Sequence, residues 1–337
     1  AGYDDGSQMA ALSDELDQMA DDGNLLEDNM INMLSQLDAA DQNQQLSQLY
    51  DRHTPTYAHA SGMMDGFKQA RRRGVVPDPL LPMGPLGPHF YGEQVQGWIK
   101  GYGSRGERDG FEEFSGYDQS IYGVLLGIDK SYGDLMAGFA GGMATTDISQ
   151  DDGDSSEATT GYGLAYASWG TVSWYGDINL GYGRSAIEDR SGTLFKTRAD
   201  YAASQLGFYA GGGREWLFMD DRLFLTPSAA LSGYYYMQDS YTEKSSTAVP
   251  RRVDAYDYFS LKSELGIKAS FSHELERAAV VPEIHANWLH EFNADGERVD
   301  YSLVGGSGNY SCAMATPLED LYELGGGLSF WTRGPSG

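Results

Sequence analysis

The chain has 337 residues, of which 41% are hydrophobic, and its formal net charge at pH 7 is −26. Such an acidic balance argues against nucleic acid as a partner, because phosphate contacts require a basic face. No run of about 18 apolar residues occurs, which excludes a transmembrane helix. A membrane barrel is not excluded, because each of its strands needs only about 9–11 residues with one apolar face.

Residues 1–75 have a helical pattern. Apolar residues recur at helical spacing in the sequence Leu12, Leu16, Met19, Leu26, Met30, Met33, Leu34 and Leu37. A second helix is predicted over 57–73, where the basic triplet Arg71, Arg72 and Arg73 precedes Gly74 as a stop signal. The region is therefore predicted to be a helical linker; for residues 1–50, a small bundle and a partly unstructured segment both remain open.

A proline-rich connector is predicted over residues 76–93. Its prolines are Pro77, Pro79, Pro82, Pro85 and Pro88. Prolines at this density exclude both a helix and a regular strand ladder, so the segment is expected to be stiff and extended.

From residue 94 to residue 337 the pattern has a period of two, with one apolar face and one polar or small face. Ile178 and Leu265 belong to the apolar face, and Asn179 belongs to the polar face. For a barrel in lipid, the apolar face points outward and the polar face points into the lumen. The predicted lumen-facing residues of the later strands are Lys262, Glu264, Lys268, Glu283 and His285.

Three features favour a membrane barrel over a soluble sandwich. The predicted strands often reach ten residues or more, and short connectors alternate with long polar ones, such as 145–160, 187–201, 239–256 and 293–318. Aromatic residues gather near predicted strand ends, where they would form interfacial girdles. These aromatic residues are Tyr102, Tyr132, Trp169, Tyr182, Trp216, Tyr234, Tyr235, Tyr236, Trp288, Phe292, Phe330 and Trp331.

The sequence shows no recognisable catalytic motif. His273-Glu274 and His290-Glu291 each begin like a zinc-protease motif, but neither has a second histidine four residues after the first. The acidic stretch 151–157 is interpreted either as a solvated loop or as a cation-binding loop. We therefore predict no catalytic, cofactor or metal site.

The order of several strand motifs resembles the autotransporter β-domain family of type V secretion. The segment 95–103 is similar to the family's tryptophan-containing first strand, and 117–129 is similar to its second strand. The segments 138–142 and 179–183 resemble the glycine-rich third and fifth strands. The most specific match is 282–292, near the family's penultimate hairpins.

This resemblance implies an all-β fold, namely an antiparallel transmembrane β-barrel of twelve strands with a helix threaded through the pore. Roughly ten strands are visible in this sequence, so we expect either that the sequence is truncated or that the barrel lacks its last hairpin. The helix 57–73 occupies the position of the pore helix, where Arg71–Arg73 could meet lumen acids such as Glu264 or Glu283.

The resemblance also implies an outer-membrane location, with loops and a passenger at the cell surface. The implied partners are outer-membrane lipid and lipopolysaccharide, the barrel assembly machinery and the chain's own passenger. Two other functions stay open from the sequence: a free-standing porin-like or structural barrel, and a barrel enzyme with active residues on its loops.

Overall fold

The fold is dominated by long antiparallel strands preceded by short helices, as shown by a computed structural model. The structure describes residues 11–16, 18–19, 25–37, 41, 45, 56–70, 95–110, 115–171, 173–192, 194–219, 222–275, 278–294, 298–314 and 317–332. The predicted connector 76–93 lies outside the described residues.

The helical elements are helix α1 (Leu25–Leu34), a 3-10 turn η1 (Thr56–Ala60) and helix α2 (Ser61–Ala70). Residues 11–16 and 18–19 are also helical. None of the described helices is long and apolar enough to cross a membrane.

The described part of the chain contains seventeen strands, most of the long ones having 14–18 residues. They are β1 (Val95–Arg108), β2 (Tyr117–Tyr132), β3 (Leu135–Gln150), β4 (Ser155–Gly170), β5 (Trp174–Ser191), β6 (Thr197–Arg214), β7 (Trp216–Phe218), β8 (Leu223–Gln238), β9 (Tyr241–Thr242), β10 (Lys244–Ser245), β11 (Arg251–Val253), β12 (Tyr256–Phe271), β13 (His273–Leu275), β14 (Ala278–Glu291), β15 (Arg298–Leu303), β16 (Asn309–Ala313) and β17 (Asp320–Thr332).

Ten long strands follow one another in a single antiparallel sheet. Their order is β1-β2-β3-β4-β5-β6-β8-β12-β14-β17, so each long strand pairs with the next long strand along the chain. The sheet is curled into a half-barrel. This topology confirms the predicted antiparallel fold of roughly ten strands.

The convex face of the sheet carries exposed apolar side chains. Ile178 is 60% exposed, Leu265 is 51% exposed and Ile284 is 69% exposed, whereas Asn179 on the concave face is only 4% exposed. Further exposed apolar residues on this face are Tyr122, Val124, Leu126, Ile128, Phe139, Met143, Leu180, Tyr182, Ile267 and Trp288. An apolar belt of this extent is disfavoured in water and suits the lipid-facing band of a membrane barrel.

Two of the predicted long loops are wrong, because residues 145–160 and 187–201 belong mostly to strands. Only 151–154 and 192–196 separate the strands there. Both hairpins keep a buried inner face, with Ile148, Ala158, Ile187 and Ala199 at 3% exposure or less. Their outward residues are polar because these strand ends extend past the apolar belt. The polarity of these residues alone was therefore indistinguishable from that of a loop.

Three of the predicted girdle aromatics face inward. Tyr234 is 5% exposed and Tyr236 is fully buried, and the Tyr102 hydroxyl donates a hydrogen bond to the backbone of α2. By contrast, Tyr132, Trp169, Tyr182 and Tyr235 are exposed on the convex face. The alternation of the pleat decides the face, since adjacent residues point to opposite sides.

The connections 239–256 and 293–318 contain a second, smaller sheet rather than irregular loops. This loop sheet has four strands in the order β16-β15-β11-β9. A buried ion pair between Arg251 and Glu243, with 2.8 Å between Nη2 and Oε1, holds its centre. Burial by itself would lower the pKa of Arg251, but the Glu243 carboxylate outweighs that effect and raises the pKa above its ordinary value.

The two faces of β12 give a test of the register. Leu265→Arg places a charge on the lipid side, which costs about 2–4 kcal/mol at the bilayer midplane, whereas Glu264→Arg places the same charge on the concave side. We expect Leu265→Arg to lower the yield of assembled barrel and Glu264→Arg to leave most of it. The assay is the fraction that migrates differently before and after boiling on a detergent gel; the reverse ranking would mean a register shifted by one residue.

Candidate functional site

The candidate site is the concave face of the sheet, where helix α2 lies. This helix contacts strands β1, β2, β3, β4, β5 and β6. It therefore occupies one side of the space that the curled sheet surrounds. Its residues Met63 and Phe67 are fully buried against the concave face of the sheet, which is called the wall below.

Two helix glycines allow this close approach. A side chain at Gly62 would begin 2.9 Å from the Cβ of Ala144, and one at Gly66 would overlap the hydroxyl group of Tyr162. The absence of a Cβ therefore brings the helix backbone within contact of β3 and β4.

Strand glycines on the opposite side receive the large side chains of the helix. A Cβ at Gly181 would lie 2.8 Å from Cζ of Phe67, and one at Gly207 would lie 2.9 Å from Cε of Met63. Gly181 and Gly207 are direct cross-strand partners on β5 and β6. Together they form a groove for the apolar face of the helix.

Polar side chains of the wall bind backbone carbonyls of the helical segment. Gln119 Nε2 donates to the oxygen of Ala58 at 2.9 Å, and Tyr102 Oη donates to the oxygen of Gly62 at 2.8 Å. Asn179 Nδ2 donates to the oxygen of Phe67 at 2.8 Å. Phe67 lies in the last turn of α2, where carbonyl groups have no partner within the helix. Asn179 thus caps this helix from the barrel wall.

A buried hydrogen-bond chain fixes the 3-10 turn η1. His59 Nε2 lies 2.7 Å from Ser156 Oγ, and His59 Nδ1 lies 3.4 Å from the Tyr236 hydroxyl. Ser156 donates to Asp189 at 2.5 Å, and Tyr201 donates to the same carboxylate at 2.8 Å.

The order of residues in this hydrogen-bond chain differs from that of a catalytic triad. The serine lies between the histidine and the acid, and its hydroxyl proton is directed at Asp189, so His59 is placed to donate to Ser156 rather than to remove its proton. Sequence reasoning missed these residues, because they lie on three separate elements and share no motif.

The predicted lumen residues divide between two parts of the wall. Lys262 and Glu264 line a cavity of about 280 Å³ between α2 and strands β8, β12 and β14. The Lys262 ammonium group lies 3.8 Å from the Glu291 carboxylate. Lys268 is the direct cross-strand partner of His285, and Glu283 pairs with Ser270.

The predicted arginines Arg71, Arg72 and Arg73 lie outside the described residues. Their pairing with Glu264 or Glu283 therefore stays a prediction. Within the part of the chain that is described, His, Cys, Asp and Glu side chains form no cluster that could hold a metal ion.

Residues 97–334 match the family model of the autotransporter β-domain. The chain belongs to this autotransporter β-domain family. It is therefore a translocator barrel, and the family supports the outer-membrane location that the strand motifs implied.

Two solved autotransporter domains share the fold of this β-domain. The translocator domain of autotransporter NalP from Neisseria meningitidis is 15% identical, with a TM-score of 0.57 over 82% of this chain and 97% of that chain. The β-domain of the Bordetella autotransporter BrkA is 19% identical, with a TM-score of 0.51 over 71% of this chain and 94% of that chain.

Curated relatives are much longer than this β-domain. An extracellular serine protease of Serratia marcescens is 28% identical over 58% of this chain and 19% of its own length. Outer membrane protein B of Rickettsia prowazekii is 24% identical over 68% of this chain and 15% of its own length. The chain thus spans less than a fifth of each of these two relatives.

The contact between Gly66 and Tyr162 tests the packing of α2, because the expected effect of Gly66→Ala on stability is opposite to the usual one. In an ordinary helix interior, Gly→Ala stabilises by about 1 kcal/mol. In this β-domain we expect Gly66→Ala to lower the melting temperature of the assembled protein, because the new methyl group overlaps the Tyr162 ring. In the Tyr162→Ala variant, adding Gly66→Ala should lower the melting temperature less than it does in the native protein. A melting temperature raised by Gly66→Ala alone would show that α2 does not pack on this wall.

Proposed function

We propose that this β-domain anchors in the outer membrane and supports secretion or surface display of a passenger located N-terminal to helix α2. In this proposal, α2 is the part of the chain that remains in the pore. The packing of α2 on the concave face carries the proposal, since a pore helix needs a wall shaped to receive it.

The way the wall holds the helix supports this role. Three wall side chains, Tyr102, Gln119 and Asn179, bind main-chain oxygens of the helical segment. Such contacts hold the backbone in place without depending on the helix side chains. The glycine groove at Gly181 and Gly207 then sets the position of the helix along the pore.

The apolar belt on the convex face supports the proposal that membrane lipids are partners of this domain. Its exposed apolar side chains suit lipid acyl chains, with lipopolysaccharide above them in the outer leaflet. The proposed assembly partner is the outer-membrane barrel assembly machinery. The long connections and the passenger are placed at the cell surface, because outer-membrane barrels have short turns on the periplasmic side. The function is insertion, anchoring and passage, with no bond-making step in this domain.

A surface-display experiment tests the proposed function. A reporter epitope and a signal peptide are fused ahead of Ala1, and whole Gram-negative cells are treated with external protease. We expect the epitope to be removed from intact cells, and we expect the assembly-defective Leu265→Arg variant to leave it inside. An epitope that is protected in intact cells expressing the native, assembled β-domain would reject the proposal.

The role of α2 is tested by conductance. One deletion removes residues 1–74 and a second removes residues 1–55, so only the first removes α2. We expect the first deletion to give the larger conductance in planar bilayers, because a helix of about 10 Å diameter then leaves the pore. Equal conductance of the two deletions would mean that α2 lies outside the pore.

A further inference from the structure

The outer end of the β-domain carries a contact that the translocator function does not explain. Ala11 and Glu15 contact the turn between β15 and β16 and the adjoining Tyr310, nearly three hundred residues later in the chain. The Glu15 carboxylate accepts hydrogen bonds from the backbone N–H groups of Ser307 at 2.5 Å and Gly308 at 2.6 Å, and from the hydroxyl group of Tyr310.

The turn is shaped for this carboxylate. A Cβ at Gly306 would overlap the carboxylate of Glu15, and one at Gly308 would lie 2.6 Å from it. Gly305 has a φ of 100°, a conformation that favours glycine and folds the hairpin back. Burial and the nearby Glu15 carboxylate raise the pKa of Tyr310, so the phenol keeps the proton that it donates.

The same segment buries an apolar face beside Glu15. Leu12, Leu16 and Met19 are buried, whereas the neighbouring Asp14 is exposed. These residues belong to one continuous cluster with Met30 and Leu34 of α1. The cluster also contains loop-sheet residues and inner-wall residues; these are Val253, Tyr301, Leu303, Tyr310 and Cys312 of the loop sheet, and Ala158, Ile187, Tyr201 and Tyr236 of the wall.

This cluster lies over the start of the pore helix segment. Ala60, at the end of η1, belongs to the cluster and is fully buried. Apolar side chains therefore form a continuous cluster from the loop sheet to the inner wall, and Met64 of α2 packs against it. In channels, hydrophobic constrictions block ions by excluding water, and a buried apolar cluster across a pore would act in the same way.

We infer that the loop sheet is a docking surface for the chain's own N-terminal helical residues, 11–16, 18–19 and 25–34, and that this docking closes the outer mouth of the barrel above α2. The inference rests on the proposed function in one respect, since that function places the loop sheet outside the membrane. These N-terminal residues precede the pore helix, so they reach the loop sheet only after they have crossed the membrane. The hydrogen bonds of Glu15 to the turn hold them on the loop sheet.

The full-length β-domain carrying Glu15→Ala is compared with the same protein carrying Asp14→Ala, which removes an exposed carboxylate one residue away. Amide hydrogen exchange of Ser307 and Gly308 is measured first. We expect exchange in Glu15→Ala to be at least about tenfold faster, because charge-assisted hydrogen bonds to both amides are lost. Asp14→Ala should leave both rates unchanged, and Tyr310→Phe should give an intermediate effect.

Planar-bilayer recording measures the closure. We expect Glu15→Ala to open more often or to a higher conductance than Asp14→Ala. Heat modifiability confirms that each variant is assembled, and Glu15→Gln replaces Glu15→Ala if the latter does not assemble. Equal exchange rates in the Glu15 and Asp14 variants would overturn the docking, and faster exchange without any change in conductance would overturn the closure. Surface display of the reporter by the native protein separates either failure from failure of the proposed function.

Discussion

The two-sided pleat of the long strands is the constraint on which the rest of the structure depends. In lipid, a backbone donor or acceptor without a partner costs several kcal/mol, so strands that cross the membrane must pair with one another. Pairing fixes the register, and the register assigns every second side chain to lipid and the others to the interior. Ile178 and Asn179 show the consequence, since these adjacent residues are 60% and 4% exposed.

The interior that this register creates is not a uniform polar channel. On the β1–β6 side an apolar cluster and strand glycines hold α2 through Met63 and Phe67, and wall side chains donate hydrogen bonds to main-chain oxygens of the helix. On the β8–β14 side the interior is charged, with Lys262, Glu264 and Glu291 lining a cavity. The helix lies against the β1–β6 side, where its glycines Gly62 and Gly66 approach Ala144 and Tyr162 closely.

The end of the barrel that carries the loop sheet also buries its inward side chains, but against different partners. Strands that extend past the membrane lose their lipid contact, so their outward residues become polar while their inner residues continue to pack. The inner residues meet the loop sheet and the N-terminal helical residues in one apolar cluster. The long connections are therefore folded onto the barrel interior, and they also contain the buried ion pair of Arg251 and Glu243.

The sequence by itself determined the fold class, the outward face at residues such as Ile178 and Leu265, and the family. Alternation of period two is a local property, and the order of strand motifs is written along the chain. Only the tertiary structure decided where the strands end, since polar residues in 145–160 serve equally well in a loop and in a hairpin that extends past the apolar belt.

The tertiary structure also decided which side chains hold α2 and the N-terminal segment. The His59, Ser156 and Asp189 chain and the contact between Glu15 and residues 307–310 join parts of the chain that are distant in sequence. No local sequence pattern predicts such contacts, because the sequence around a serine, a histidine or a glycine is the same whether or not a distant residue packs against it. Curling of the sheet brings these groups together, and curling is a property of all the strands at once.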